Sequence, residues 1–256
     1  MNRSHPRDNS FPLYQESYEH DSCGVGLVVA IDGAPSRRIV ELALNGLVDL
    51  THRGGVGADE RTGDGAGLLT QLPHALFAPV LAEFGAPATP GSYGVATVFL
   101  PNHPENAAAA RRSLENAAVE FALPVLGWRV VPVDASGLGH IAADTRPAIE
   151  QFFVARPDSV AETDFERSLM LMRKAAERAF TQSALRDVYV VSCSCRTIIY
   201  KGFCLPEDLA AFYLDLQQPD YTSAIGLFHQ RYSTNTFPTW AMAQPFRFIA
   251  HNGELD

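Results

Sequence analysis

The pattern of apolar and polar positions changes abruptly at Cys23. Residues 1–22 are polar, carry Pro6 and Pro12 and keep neither a helical nor a strand period, which reads as a leader outside the core. The run CGVGLVVAI that follows is β-branched and apolar and predicts a strand buried on both faces. Beyond Ser36, a candidate helix cap, Ile39, Leu42, Ala43, Gly46, Leu47 and Leu50 keep the helical period. A strand over 68–72, a helix over 73–84 and an Ala/Pro/Gly linker over 85–92 come next. Residues 93–155 alternate strand (YGVATVFL), helix (105–121), strand (VLGWRVVPV), helix (136–143) and strand (IEQFFVA), which suggests a small α/β lobe within a larger domain. Thr163 with Glu166 reads as a capping box for a helix reaching residue 185, with Phe165, Leu169, Met172, Ala176 and Ala179 on one face and Met170 and Met172 as core filler. The strands VYVVSCSC and RTIIYKG, a helix over 206–216, and the strands AIGLFHQRY and FRFIAHN complete the pattern. Strands dominate the two ends and helices lie between them.

Between Thr51 and Gly67 six glycines, 54, 55, 57, 63, 65 and 67, fall in one stretch, an ordered loop or a flexible one rather than the interior of an element. Neither nucleotide-binding glycine signature occurs in it, and GDGAG leads into a strand instead of opening a helix. A structural loop against the Cys23 strand is the better reading, with Arg53 and Asp64 as candidate polar anchors. The formal charge of −9 disfavours a nucleic-acid partner, because no basic stripe offsets it. Hydrophobic residues make up 46% of the chain, enough for a core, so disorder is not expected. No apolar run approaches the roughly 18 residues of a membrane span, and no signal-peptide core precedes Cys23, so the cytoplasm is expected.

Four cysteines in such a chain do not make a disulfide scaffold. Cys193, Cys195 and Cys204 lack a fourth soft ligand nearby, and packing is preferred to a zinc or iron–sulfur site. Cys23 has two readings, a small core hydrophobe or a nucleophile exposed by cleavage after Ser22. In the second, its own α-amine, with a reference pKa of about 7.7–8.0, serves as the base. Arg231 presents a planar fork suited to a carboxylate, with the Thr234 hydroxyl just beyond. Asn252-Gly253 sets a side-chain amide beside an unhindered N–H, as an oxyanion hole requires, although Asn-Gly alone also fits a hairpin turn. His229 and His251 are expected to be structural.

The segments YEHDSCGVG, THRG with TGDGAG and PHALF, VLGWRVVPV, SCRTIIYKG and HQRYSTNTFPTWAMAQPFRFIAHNGE stand in one order from Tyr18 onward. Together they resemble the class II glutamine amidotransferase domain at the N-terminus of the glutamate synthase large subunit. The resemblance implies an α+β fold of the N-terminal-nucleophile hydrolase type, a four-layer αββα sandwich with two antiparallel sheets and a small α/β insertion over about 93–155. It implies Cys23 as the nucleophile freed by removal of residues 1–22, Asn252 and Gly253 as the oxyanion hole, Arg231 on the α-carboxylate of L-glutamine and Thr234 lining the pocket. No metal and no cofactor is expected in this chain. FMN, an iron–sulfur cluster and NADPH or ferredoxin belong to the full enzyme, with downstream synthase domains and a small subunit as candidate partners. The family's domain continues past HNGE, which implies an incomplete domain with an unpaired sheet edge. The competing readings are an inactive fragment serving as a folding or interaction module, an amidotransferase feeding another acceptor, and a papain-like Cys–His hydrolase.

Overall fold

The computed structural model describes residues 24–233 and 237–247. The chain runs β1 (Val25–Val29), α1 (Arg37–Asp49), β2 (Ala66–Gln71), α2 (His74–Glu83), β3 (Tyr93–Leu100), α3 (Pro104–Glu120), β4 (Val125–Val130) and α4 (His140–Asp144). It continues through β5 (Ala148–Ala155), α5 (Glu162–Gln182), β6 (Tyr189–Ser194), β7 (Thr197–Gly202), α6 (Pro206–Phe212) and β8 (Ile225–Gln230). Two four-stranded sheets result, in the orders β1-β8-β2-β7 and β4-β5-β3-β6, with every pairing antiparallel. The sheets meet where β6 runs through a short turn into β7. Residues 93–155 supply β3, β4 and β5, and β6 joins them from farther along the chain.

Two apolar clusters follow from the period-2 and period-3.6 patterning. The larger unites Leu47 of α1, Phe77 of α2 and Phe228 of β8 with Phe153 and Tyr200 of β5 and β7. The smaller packs α3 and α5, through Leu114, Phe165 and Met172, on Val98 and Phe152 of the second sheet. A buried polar network crosses from one sheet to the other. Arg129 on β4 makes a forked pair with Asp215, at 2.8 and 2.6 Å, and donates to Gln151 of β5 at 2.8 Å. The Tyr200 hydroxyl of β7 donates to Asp215 at 2.7 Å. Each charge here is paired and hydrogen-bonded, the condition for tolerating it inside the protein.

Several expectations change. Among the described strands β1 lies at the edge of its sheet, and Leu27 and Val29 are 59% and 49% exposed, so its continuous apolar run does not mean burial on both faces. In α1 the buried stripe is Ile39, Val40, Ala43, Leu44 and Leu47, while Leu42 faces solvent. Ser36 occupies the N-cap position, but no side-chain cap bond forms. Its backbone pairs instead with Ser223. α5 starts one residue before Thr163, behind Ala161, and Glu166 accepts from the N–H and thiol of Cys195 at 2.9 and 3.0 Å. That tertiary bond outcompetes the capping box. Met172 is buried but Met170 is 39% exposed. The helix expected at 136–143 shrinks to α4, because Gly139 takes the N-cap. The helix expected over 206–216 breaks at Tyr213, whose backbone is extended and whose hydroxyl donates to the Lys201 carbonyl at 2.7 Å. The leader, and most of the strand expected in FRFIAHN, lie outside the described residues.

Candidate active site

The apolar strand β8 ends at Gln230, where both of its neighbours begin. Because β1 and β2 run antiparallel to it, their N-terminal ends flank its C-terminal end. The Gln230 N–H donates to the Gly24 carbonyl at 2.7 Å, and the Arg231 N–H donates to the Gly65 carbonyl at 2.8 Å. One step further, the Ser233 N–H donates to the Asp64 carboxylate at 2.6 Å. Arg231 is 6% exposed, so the sheet delivers a cation into the protein at the point where the chain leaves β8.

The glycine-rich loop is ordered. Gly57 donates to the Thr62 carbonyl at 2.7 Å and Asp64 to the Gly55 carbonyl at 3.1 Å. Asp59 accepts from the Thr62 N–H and hydroxyl at 2.8 and 2.6 Å, and from the Arg61 and Ile141 N–H groups at 3.2 Å each. Loss of solvent opposes its charge, but these bonds prevail and hold the carboxyl well below the usual range. Two glycines in the loop are dictated by close approach. A Cβ on Gly54 would overlap the Gln230 side-chain amide, and one on Gly55 would overlap the Asp64 carboxylate. The loop therefore backs the two side chains that flank Arg231 and Ser233.

The segment returning past residue 237 is fastened as well. Trp240 Nε1 donates to the Ala142 carbonyl at 3.1 Å, and Lys201 Nζ donates to the Ala241 and Ala243 carbonyls at 2.7 and 2.6 Å. Lys201 is fully buried, its ammonium 4.6 and 4.7 Å from the ring centres of Tyr189 and Phe246. Burial, followed by Arg247 and Arg231, pushes its pKa well down. A cleft of about 990 Å³ opens beside this segment, and Asp64, Phe99, Tyr189, Phe203 and Trp240 are among its walls.

Of the residues singled out in the sequence, Arg231 sits at this junction, whereas Cys23, Thr234, His251, Asn252 and Gly253 lie outside the described residues. Asp64 is an anchor. Arg53 contributes its backbone N–H, to the Leu50 carbonyl at 2.7 Å, and among the described residues no side-chain bond. His229 is buried within β8. Cys193, Cys195 and Cys204 are all packed away. Burial pushes the thiols of Cys193 and Cys195 up to about 12, with Glu166 adding to the shift at Cys195, and raises Cys204 further. None of the three is a thiolate near neutral pH. Among the described residues no group of three or more His, Cys, Asp and Glu could hold a metal, and no helix is long and apolar enough to cross a membrane. The sequence reading passed over Gln230 and Lys201. A lysine flanked by IIY and G in a strand is a signal that could have marked the latter.

Residues 23–256 match the family described as "Glutamine amidotransferases class-II". The chain is 43% identical over 244 residues to the glutamate synthase [NADPH] large chain of Azospirillum brasilense, covering 95% of this chain and 16% of that protein. It is 42% identical over 239 residues to ferredoxin-dependent glutamate synthase 2 of Synechocystis, covering 93% and 15%. Identity to the glutamate synthase [NADPH] large chain of Bacillus subtilis is 41% over 245 residues, covering 95% and 16%. The chain thus spans about one sixth of the length of these relatives. Two antiparallel sheets with their helices form an α+β sandwich consistent with the N-terminal-nucleophile hydrolase fold. With the family matched across almost its whole length, the chain belongs to the class II glutamine amidotransferases, as the domain that glutamate synthase large chains carry.

Proposed function

We propose that the chain hydrolyses L-glutamine to glutamate and ammonia through a thioester on Cys23, as the glutaminase part of a glutamate synthase. The observation that carries this reading is the bond between Gln230 and Gly24: the peptide neighbours of Cys23 and Arg231 are joined directly across β1 and β8. The burial of the other three thiols supports it.

Removal of residues 1–22 gives Cys23 a free α-amine, which takes the thiol proton. The sulfur attacks the side-chain amide carbon of glutamine, and the Asn252 amide with the Gly253 N–H stabilises the tetrahedral oxyanion. The α-ammonium returns its proton to the leaving nitrogen, and ammonia departs from a γ-glutamyl thioester. Water then attacks the thioester, releasing glutamate and restoring the thiol. Arg231 holds the substrate α-carboxylate in a forked pair, and Thr234 lines the pocket. None of these steps calls on a cofactor. In the complete enzyme the ammonia serves reductive amination of 2-oxoglutarate in downstream synthase domains, and FMN, an iron–sulfur cluster and NADPH or ferredoxin act there. A small subunit is a candidate partner and the cytoplasm the expected compartment.

N-terminal sequencing of the full-length protein, alongside ammonia release from glutamine, tests the reading. An active protein that begins at Cys23 is the expected result. An active protein that keeps Met1 overturns the free-amine mechanism, and a protein that begins at Cys23 yet releases no ammonia overturns the glutaminase assignment.

A further inference from the structure

The glycine-rich loop takes no part in the steps above, yet its carboxylate reaches the segment between Arg231 and Thr234. We propose that Asp64 is a positioning residue for glutamine: by accepting the Ser233 N–H at 2.6 Å it fixes the backbone that carries the α-carboxylate anchor. The proposal rests on the substrate-binding reading of Arg231 and Thr234.

Three observations support it. First, the ladder between β2 and β8 ends at the pair Ala66 and Gln230. Gly65 adds one more backbone bond, to Arg231, and two residues further on the Asp64 side chain accepts from the Ser233 N–H. Second, the carboxylate is itself held. The Asp64 N–H is tied to Gly55, and the missing Cβ of Gly55 makes the space in which the carboxylate sits. A charged acceptor on a rigid support fixes a donor more tightly than a neutral one. Third, Asp64 is part of the wall of the 990 Å³ cleft, together with Phe237 and Trp240 from the far side of the same segment. Substrate binding is sensitive to such support, since a misplacement of about 1 Å can cost on the order of a hundredfold.

The test uses the full-length protein and two thiol reagents: the diazoketone analogue of glutamine, which must bind as an amino acid before it alkylates Cys23, and iodoacetamide, which need not. Asp64→Ala is expected to slow labelling by the analogue about tenfold and to leave the iodoacetamide rate within about twofold. Asp64→Asn keeps an oxygen acceptor and is expected to recover part of the loss, to within about threefold of wild type. In turnover the same variants raise KM and leave kcat nearly unchanged. Equal slowing by both reagents, or no slowing by the analogue, overturns the proposal. If Asp64→Ala fails to fold, Asp64→Asn decides alone: slowing confined to the analogue supports the positioning role, and any other pattern overturns it. Failure of the wild-type protein to react with the analogue while iodoacetamide labels Cys23 overturns the glutaminase reading, and the inference falls with it.

Discussion

Gly54 lies so close to the side-chain amide of Gln230 that a methyl group at position 54 would overlap it. Gln230 is 1% exposed, so its side chain has no open space to move into. Gly54→Ala is therefore expected to destabilise the fold by about 1–3 kcal/mol, as overpacking of a closed site does. Urea denaturation checks this: the midpoint should fall while the slope of the transition stays the same.

Arg129 and Asp215 form the most buried ion pair of the network, with side chains 16% and 2% exposed. Arg129→Met leaves the carboxylate in place with the Tyr200 hydroxyl alone and is expected to cost about 3–5 kcal/mol. Replacing both partners, in Arg129→Met with Asp215→Leu, should cost less than the single change, because no buried charge is stranded. Chemical denaturation of the two variants compares them directly.

Lys201 donates to two carbonyls that bracket Met242, and Lys201→Met preserves the stem while removing every donor. The carbonyls of Ala241 and Ala243 lose their partner, which should cost about 1–3 kcal/mol. Hydrogen exchange should show faster opening at residues 239–246, with β7 less affected.

His74 is half-buried, and burial lowers its pKa below the ordinary imidazole value of 6.5; its Nδ1 is 2.8 Å from the Tyr93 hydroxyl. The unfolded chain therefore binds this proton more readily than the folded one. The contribution is neutral above 6.5 and becomes destabilising as pH falls through that value, levelling off once the folded protein also takes up the proton. Melting temperatures of wild type and His74→Asn, compared from about pH 7.5 to about pH 5, should diverge on the acidic side, with the wild type losing more.

Cys23→Ala should lower ammonia release from glutamine at least a thousandfold, roughly the effect of removing a covalent nucleophile. Cys195→Ala, which alters a buried contact with Glu166, should stay within about twofold of wild type. Matching losses in the two variants would remove Cys23 from the mechanism. The assay is glutamine-dependent ammonia production by the full-length protein.

Most strands and helices were legible because each is a run of one clear period: YGVATVFL became β3, buried along its whole length, and RTIIYKG became β7. Misreadings arose where a distant partner outweighed a local signal. Glu166 suits a capping box, yet Cys195 lies 29 residues away and claims its carboxylate. The β1 run looked central, but its exposure depends on which strands flank it, a long-range property that no local window holds. At the site, Arg231 was visible as a charge beside an apolar run and Asp64 as a candidate polar anchor in the glycine-rich loop. Their connection through Ser233 was not, because it joins residues 169 apart by a single backbone N–H. Gln230 gave no signal, since its importance comes from a glycine that makes room for it.

The pairing of β1 with β8 also has a temporal meaning. Among the described strands β1 has only β8 as a neighbour, and β8 is the last of them in sequence. At ribosomal speeds of about 5–20 residues per second, β1 leaves the ribosome on the order of tens of seconds before its partner exists. Through that interval Leu27 and Val29 have no sheet to join. If residues 1–22 are removed as proposed, any cutting at the Ser22–Cys23 bond that depends on the assembled junction must wait until Gln230 has been made.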